Sequence, residues 1–347
     1  MNQSIYASLM FLFVFNFLYA QEGKKVNLPK EEVIKSWMEE ANVPNMAIAS
    51  IESGQLGEFR ILGKLPDGSE AQEDAIFDVA SLTKSITTYI CLKYVSKGKW
   101  DLDEPLATYF TDPDVKDDPR SKRLTSRHVL SHQSGFPNWR YMDEEKKLRF
   151  GFDPGTKTQY SGEGFEYLRK ALEAKFEKPM EKMAKEMLFT PMGMKNSFLI
   201  WDEGVDDALL VGAHDKEGKA YTYEKVTQAN AADNLLTSVA DFVKFGRGIL
   251  KAEGLSEEVY QEMTTAQSEV REGINFSLGW IFMDNLAEGE YALFNAGSDQ
   301  GVNAIILLLP KSQRGLIAFT NGDQGRGLVM RLIGASLDLG GDILGRF

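Results

Sequence analysis

The sequence predicts an α+β fold, an α/β sandwich in which one antiparallel sheet is assembled from both chain ends and flanked by helices, with an all-helical lobe inserted between. Two observations predict it. Strand-type runs lie towards both ends, at 46–51 and 58–62 and again at 276–282, 291–294, 302–309 and 315–320, each bounded by Gly, Asn, Asp or Pro. Between them, from Ser81 to about Met194, the pattern is mostly helical and is interrupted at Asp112-Pro113, Asp118-Pro119, Phe136-Pro137 and Asp153-Pro154-Gly155. With 347 residues, 43% of them hydrophobic, the chain can bury a sizeable core, and with one cysteine it forms no intrachain disulfide.

Taken in order, residues 1–20 carry no charged side chain and contain the apolar run 9–15 followed by Phe17-Leu18-Tyr19-Ala20. This reads as a secretory signal cleaved after Ala20, with a retained N-terminal anchor as the alternative and no stable membrane insertion after cleavage; the location expected is periplasmic or secreted. Residues 21–347 are expected to form one unit, with a sheet lobe at about 29–80 and 215–347 and a helical lobe at about 81–214. Val33, Ile34, Trp37 and Met38 recur at helical spacing and predict a helix over 30–42. Ser53-Gly54-Gln55-Leu56-Gly57 is the expected hairpin loop between the first two strands. Residues 86–95 read as a buried helix, in which Cys91 is a core thiol rather than a nucleophile. Ser238-Val239-Ala240-Asp241 reads as the capped start of a helix over 242–251, and a last helix is expected over 327–337.

A net charge of −12 argues against nucleic acid or an anionic membrane as partner. The sequence contains no Gly-x-Ser-x-Gly, no Walker loop, no Cys-x-x-Cys and no His-Glu-x-x-His. His128 and His132 are four apart, yet no third ligand is placed to complete a zinc site; His132 reads as a structural residue of its Ser-Gly loop, and neither metal nor organic cofactor is expected. Trp139, Tyr141 and Trp201 either line a pocket or pack.

The chemistry is expected at Ser81-Leu82-Thr83-Lys84. Residues three apart share a helix face, so the Ser81 hydroxyl and the Lys84 amine come within hydrogen-bond reach. A serine needs an adjacent base, and a lysine serves only when burial or positive surroundings lower its pKa. A second match, Ser96-Lys97-Gly98-Lys99, precedes a Gly-containing turn and reads as a solvated helix end.

Ser81-Leu82-Thr83-Lys84, Leu130-Ser131-His132-Gln133-Ser134-Gly135, Phe152-Asp153-Pro154-Gly155 leading to Tyr160-Ser161-Gly162, Asn234-Leu235-Leu236-Thr237-Ser238, and Asn295-Ala296-Gly297 follow one another in an order that resembles the serine beta-lactamase and penicillin-binding superfamily. The look is closest to class C beta-lactamases and family VIII esterases. The resemblance implies a beta-lactamase/transpeptidase-like fold, with Ser81 as nucleophile and with Lys84 and Tyr160 as proton-transfer groups. It implies an oxyanion hole from the backbone N–H groups of Ser81 and Ser298, each donor being worth about 3–4 kcal/mol. It places Asn295, Ala296, Gly297 and Gly162 against a small-molecule or peptide substrate, Gly297 letting the backbone approach that substrate closely.

Two positions depart from the family's pattern. Gly162 stands where an asparagine often touches substrate and lysine, which removes a polar contact and widens the site. Asn295 stands where lysine or histidine usually opens the third motif, so it supplies no charge to a substrate carboxylate and makes neutral esters or amides more plausible. The expected function is an exported serine hydrolase cleaving a small ester, amide, beta-lactam or D-amino-acid peptide. The alternative is a catalytically impaired binding or regulatory protein of the same fold.

Overall fold

Residues 302–309 and 314–320 are apolar nearly throughout rather than alternating, the pattern of strands covered on both faces. The computed structural model describes residues 25–347, so the stretch read as a secretory signal lies outside the described residues. After α1 (Glu31–Glu40) the hairpin β1 (Met46–Glu52) and β2 (Gln55–Leu62) leads to β3 (Phe77–Asp78). The helical part carries α2 (Thr83–Ser96), α3 (Ser126–Leu130), α4 (Gly162–Phe176) and α5 (Met180–Ala184), which runs on through a π-helical turn to α6 (Thr190–Met192). Then come β4 (Ser197–Phe198), β5 (Leu236–Thr237), α7 (Val239–Leu250), α8 (Glu257–Met263), β6 (Ser268–Arg271), β7 (Ile274–Phe276), β8 (Ile281–Met283), β9 (Ala292–Asp299), β10 (Val302–Leu309), β11 (Arg314–Thr320), α9 (Gly325–Ser336) and α10 (Gly340–Gly345).

Eight strands form one antiparallel sheet in the order β2-β1-β11-β10-β9-β8-β7-β6. Strands from the two ends of the chain pair beside the β2 edge, Met46 opposite Thr320 and Ile51 opposite Gly315. Side chains alternate across it as period-two geometry requires. Ile305, Leu307 and Leu309 pack with α1, α9 and α10 through Ile34, Trp37, Leu332, Ile333 and Ile343. Ile306 and Leu308 face the other way, into the core shared with α7 and the helical part. Ser238 caps α7 by accepting from Asp241 N at 3.2 Å, so this helix starts three residues earlier than the sequence predicts. Among the described residues no helix is long and apolar enough to cross a membrane.

Four local expectations are corrected. The hairpin loop is only Ser53-Gly54, both left-handed (φ 50° and 68°), the conformation that matches the twist of a tight hairpin, so β2 begins at Gln55. The run 276–282 is not one strand but β7 and β8 around a turn, with Gly279 at φ 76° against Thr88. Between α2 and α4 the chain is less helical than its pattern suggests. Asp112 and Asp118 accept from Asp114 N and Arg120 N and each starts a short 3₁₀ helix, with Pro at the first turn, that runs no further than five residues. Finally, β3, β4, β5, β6, α8 and α10 are additional elements.

Ile306→Ala is expected to cost about 2–5 kcal/mol, the range for emptying a close-packed site. Urea midpoints measure it, with Val33→Ala, at a side chain 40% exposed, expected to stay within about 0.5 kcal/mol of the parent.

Candidate active site

The turn that carries Ser81 is tied down on every side. β3 pairs with β5, and Val79 N donates to Leu235 O at 3.1 Å. Ala80 then takes φ 45°, a left-handed conformation that costs a non-glycine residue on the order of 1 kcal/mol or more. Its N–H donates to Asp78 Oδ1 at 2.8 Å, its carbonyl accepts from Thr83 Oγ1 at 2.6 Å, and that same hydroxyl accepts from Leu235 N at 3.0 Å. Ser81 follows in a single 3₁₀ turn, and Lys84 lies in the first turn of α2, a helix buried along its whole length from Thr83 to Tyr94.

Lys84 is 2% exposed, and its Nζ donates to Ser81 Oγ at 3.0 Å and to Ala232 O at 2.8 Å. Burial drives its pKa down to about 7 against the opposing pull of the Asp233 carboxylate. Tyr160 lies just ahead of α4, its ring centroid 4.7 Å from Lys84 Nζ. Although the residue is 39% exposed overall, its hydroxyl end is enclosed, and burial lifts the phenol to about 12, partly offset by hydrogen bonding with Ser81.

His132 supports Tyr160 from behind. Its ring lies 4.6 Å from the tyrosine ring, and its Nδ1 accepts from Ser161 N at 3.2 Å, which assigns the ring proton to Nε2. Burial and the Lys84 charge hold it down at about 3, so it is neutral. His128 is engaged separately, its Nδ1 accepting from Thr125 N at the start of α3. Among the described residues no group of three or more His, Cys, Asp or Glu side chains is arranged to hold a metal. Cys91 is buried, its thiol pushed up to about 12.

β9 outruns β8, which pairs only with Ala292, Leu293 and Phe294, and the freed segment packs against the Ser81 turn. A Cβ on Gly297 would fall 1.9 Å from Val79 O and 3.1 Å from Ser81 N. Glycine is therefore required for the close approach to the serine turn, and Gly297 also lines the smaller of the two cavities that meet at Ser81. Ser298 and Ser81 line the same two cavities. Ala296 is exposed there, whereas the Asn295 amide donates to Gly279 O at 2.9 Å and ties β9 to the β7–β8 turn.

Gly162 does not widen the site. Its absent side chain leaves room for the Trp139 indole, whose Cη2 would lie 2.8 Å from a Cβ, while its N–H donates to Asn138 Oδ1 at 2.9 Å. Trp139 and Tyr141 stack at 6.1 Å and line the larger cavity; Trp201 packs instead on Tyr223. Arg140 locks this segment by pairing with Asp112, Asp114 and Glu163.

Three carboxylates escaped sequence reasoning. Asp78 is raised to about 7 by burial and by the charges of Asp233 and Asp299, and Asp233 is also raised by burial, with Lys84 opposing. Each lies within three residues of a quoted motif, but nearness in sequence carries no signal that distant loops will gather them.

An antiparallel sheet and a helical part that bring a serine, a buried lysine and a tyrosine together define the Ser–Lys–Tyr class of site. The model of the family described as Beta-lactamase matches residues 31–336, and the chain belongs to that family. It is 24% identical over 241 residues to "Beta-lactamase-like protein 2" of Dictyostelium discoideum, covering 62% of this chain but only 44% of that one. Two solved structures share the fold. The octameric penicillin-binding protein homologue from Pyrococcus abyssi has a TM-score of 0.74 and 23% identity, over 85% of this chain and 73% of its own. The D-alanine carboxypeptidase AmpC from Burkholderia cenocepacia has a TM-score of 0.72 and 17% identity, over 87% and 96%.

Gly297→Ala is expected to displace the Ser81 turn, destabilising the fold by about 1–3 kcal/mol and depressing turnover more than Ala296→Gly does. Thermal unfolding and ester turnover measured together check it; unchanged values in both would contradict the packing described.

Proposed function

We propose that this chain is an exported serine hydrolase that works through an acyl intermediate on Ser81, without metal or organic cofactor, on a small ester, amide, beta-lactam or D-amino-acid peptide. The observation that carries the reading is a buried lysine at about 7 with its Nζ 3.0 Å from the Ser81 hydroxyl. Near neutral pH about half of such lysines are free bases, whereas a phenol at about 12 stays protonated, so Lys84 rather than Tyr160 starts as the base.

In the first step the Ser81 Oγ–acyl carbon bond forms while Lys84 takes the hydroxyl proton. The charge developing on the carbonyl oxygen is met by the backbone N–H groups of Ser81 and Ser298. The proton passes through Tyr160 to the leaving oxygen or nitrogen as its bond to the acyl carbon breaks. Water then repeats the sequence in reverse, releasing the acid and restoring Ser81. Family membership and the fold shared with a D-alanine carboxypeptidase support acyl transfer of this kind. Export, to the periplasm or beyond the cell, rests on the apolar run that ends at Ala20. A binding or regulatory protein is the second reading, favoured by an Asn295 amide committed to Gly279 O and a Trp139 ring packed over Gly162.

Turnover of p-nitrophenyl butyrate separates the two. Ser81→Ala is expected to abolish it, and Lys84→Ala to lower it about 10³-fold or more, with circular dichroism unchanged. Near-parental rates in either variant would sink the assignment, and no turnover in the parent would favour the second reading.

The pH profile follows from the sign of the Lys84 shift. Only the neutral amine accepts a proton, so kcat/KM should rise with pH through a midpoint near 7 and stay level to pH 9. That midpoint belongs to the Lys84–Asp233 pair, since each biases the other. A profile that falls over this range would contradict a lysine base.

A further inference from the structure

Ser81 stands where two cavities meet, one of about 650 Å³ and one of about 550 Å³, and among the described residues only Ser81, Asn138 and Ser298 line both. An acyl carbon bonded to Ser81 Oγ at this junction extends its acyl part into one cavity and its leaving group into the other. The walls differ in chemistry. The smaller cavity is lined by Phe276, Ile281, Phe294, Val329 and Met330, with Arg326 as its only charged side chain among the described residues. The larger presents Asp233 and Asp299, neither in an ion pair among the described residues, while Glu163 and Glu166 are engaged by Arg140 and Arg169 and the other lining cation, Lys170, faces Asp112 at 3.6 Å. Asp233 accepts only from Asn234 N at 3.0 Å and Asp299 from Gln300 N at 2.7 Å, so both keep acceptor capacity, and the faces of Trp139 and Tyr141 beside them also attract cations.

Tyr160 decides which part of the substrate goes where. It lines the smaller cavity and not the larger. The group that takes the proton from the phenol is the leaving oxygen or nitrogen, so the leaving group occupies the smaller cavity and the acyl part the larger. Arg326 reinforces this direction, since it repels an ammonium from the smaller side.

We propose that the substrate is an acyl compound bearing a free ammonium group on its acyl side, held between Asp233 and Asp299, and an apolar alcohol or amine as leaving group. This rests on the acyl-Ser81 reading above. The bond from Ser81 Oγ to the acyl carbon forms, the bond to the apolar leaving group breaks, and the serine proton travels through Lys84 and Tyr160 to that group. Water then releases the amino acid.

Three esters test it: benzyl 3-aminopropanoate, its isostere benzyl butanoate, and phenylacetylcholine, which reverses the two ends. The ammonium ester is expected to exceed the butanoate in kcat/KM by at least about tenfold, the worth of one charged hydrogen bond, with the choline ester poorest. In the Asp233→Asn/Asp299→Asn variant the ratio of the first two esters should fall towards one; because it is a ratio, a general loss of activity cancels. A parental ratio near one, a preference for the choline ester, or a ratio the variant leaves intact overturns this inference while the hydrolase reading stands. No turnover of any ester, with no acyl mass on Ser81, overturns both.

Discussion

Burying Lys84 is the constraint on which the rest depends. Holding a lysine at about 7 rather than its ordinary 10.5 disfavours the folded state at neutral pH by roughly 4–5 kcal/mol, a large fraction of the net stability of a typical domain. That cost is offset by a helix whose every residue from Thr83 to Tyr94 is buried; in it Ser85 Oγ donates to Leu82 O and Thr87 Oγ1 to Ala231 O, while Thr88 Oγ1 is buried without a partner among the described residues. The Ala232 carbonyl gives the amine a partner without supplying a full negative charge, so the amine stays a usable base.

The frame converts this burial into geometry. The segment of β9 past its pairing with β8 stays paired with β10, Asn295 opposite Ile306 through Asp299 opposite Val302, which places it where the Ser81 turn leans on it. From the other side, Glu166 of α4 accepts from Ala231 N at 2.6 Å, fixing the loop that meets Lys84. The strained Ala80 persists because both of its backbone polar groups have side-chain partners.

Much of this was legible in the sequence, for reasons that can be named. Ser81 and Lys84 are close in sequence, so helical spacing alone puts them together, and the apolar runs of β10 and β11 announce a doubly covered sheet. Tyr160 was reachable only through the order of motifs, since nothing in its local pattern points at Lys84. What stayed hidden is non-local. Trp139 filling the space at Gly162 joins residues far apart in sequence, and a departure read as an opened site is a repacked one. The split of β7 from β8 depends on Gly279 abutting Thr88, and the duty of Asn295 on where the Gly279 carbonyl lands. Asp78, Asp233 and Asp299 each look like an ordinary loop or strand-end carboxylate until the fold gathers them into one group, of which Asp233 faces the buried lysine.

The central claim is that about half of the Lys84 side chains are neutral amines near pH 7 because the residue is buried, and the most direct measurement is its own titration. Lysine labelled with ¹³C at Cε, followed by NMR from pH 5 to 11 and assigned with Lys84→Arg, reads the protonation state of this side chain apart from any substrate. The account predicts a resonance that titrates near 7, well below the ordinary lysine value of 10.5. A Lys84 resonance that titrates at that ordinary value would contradict it.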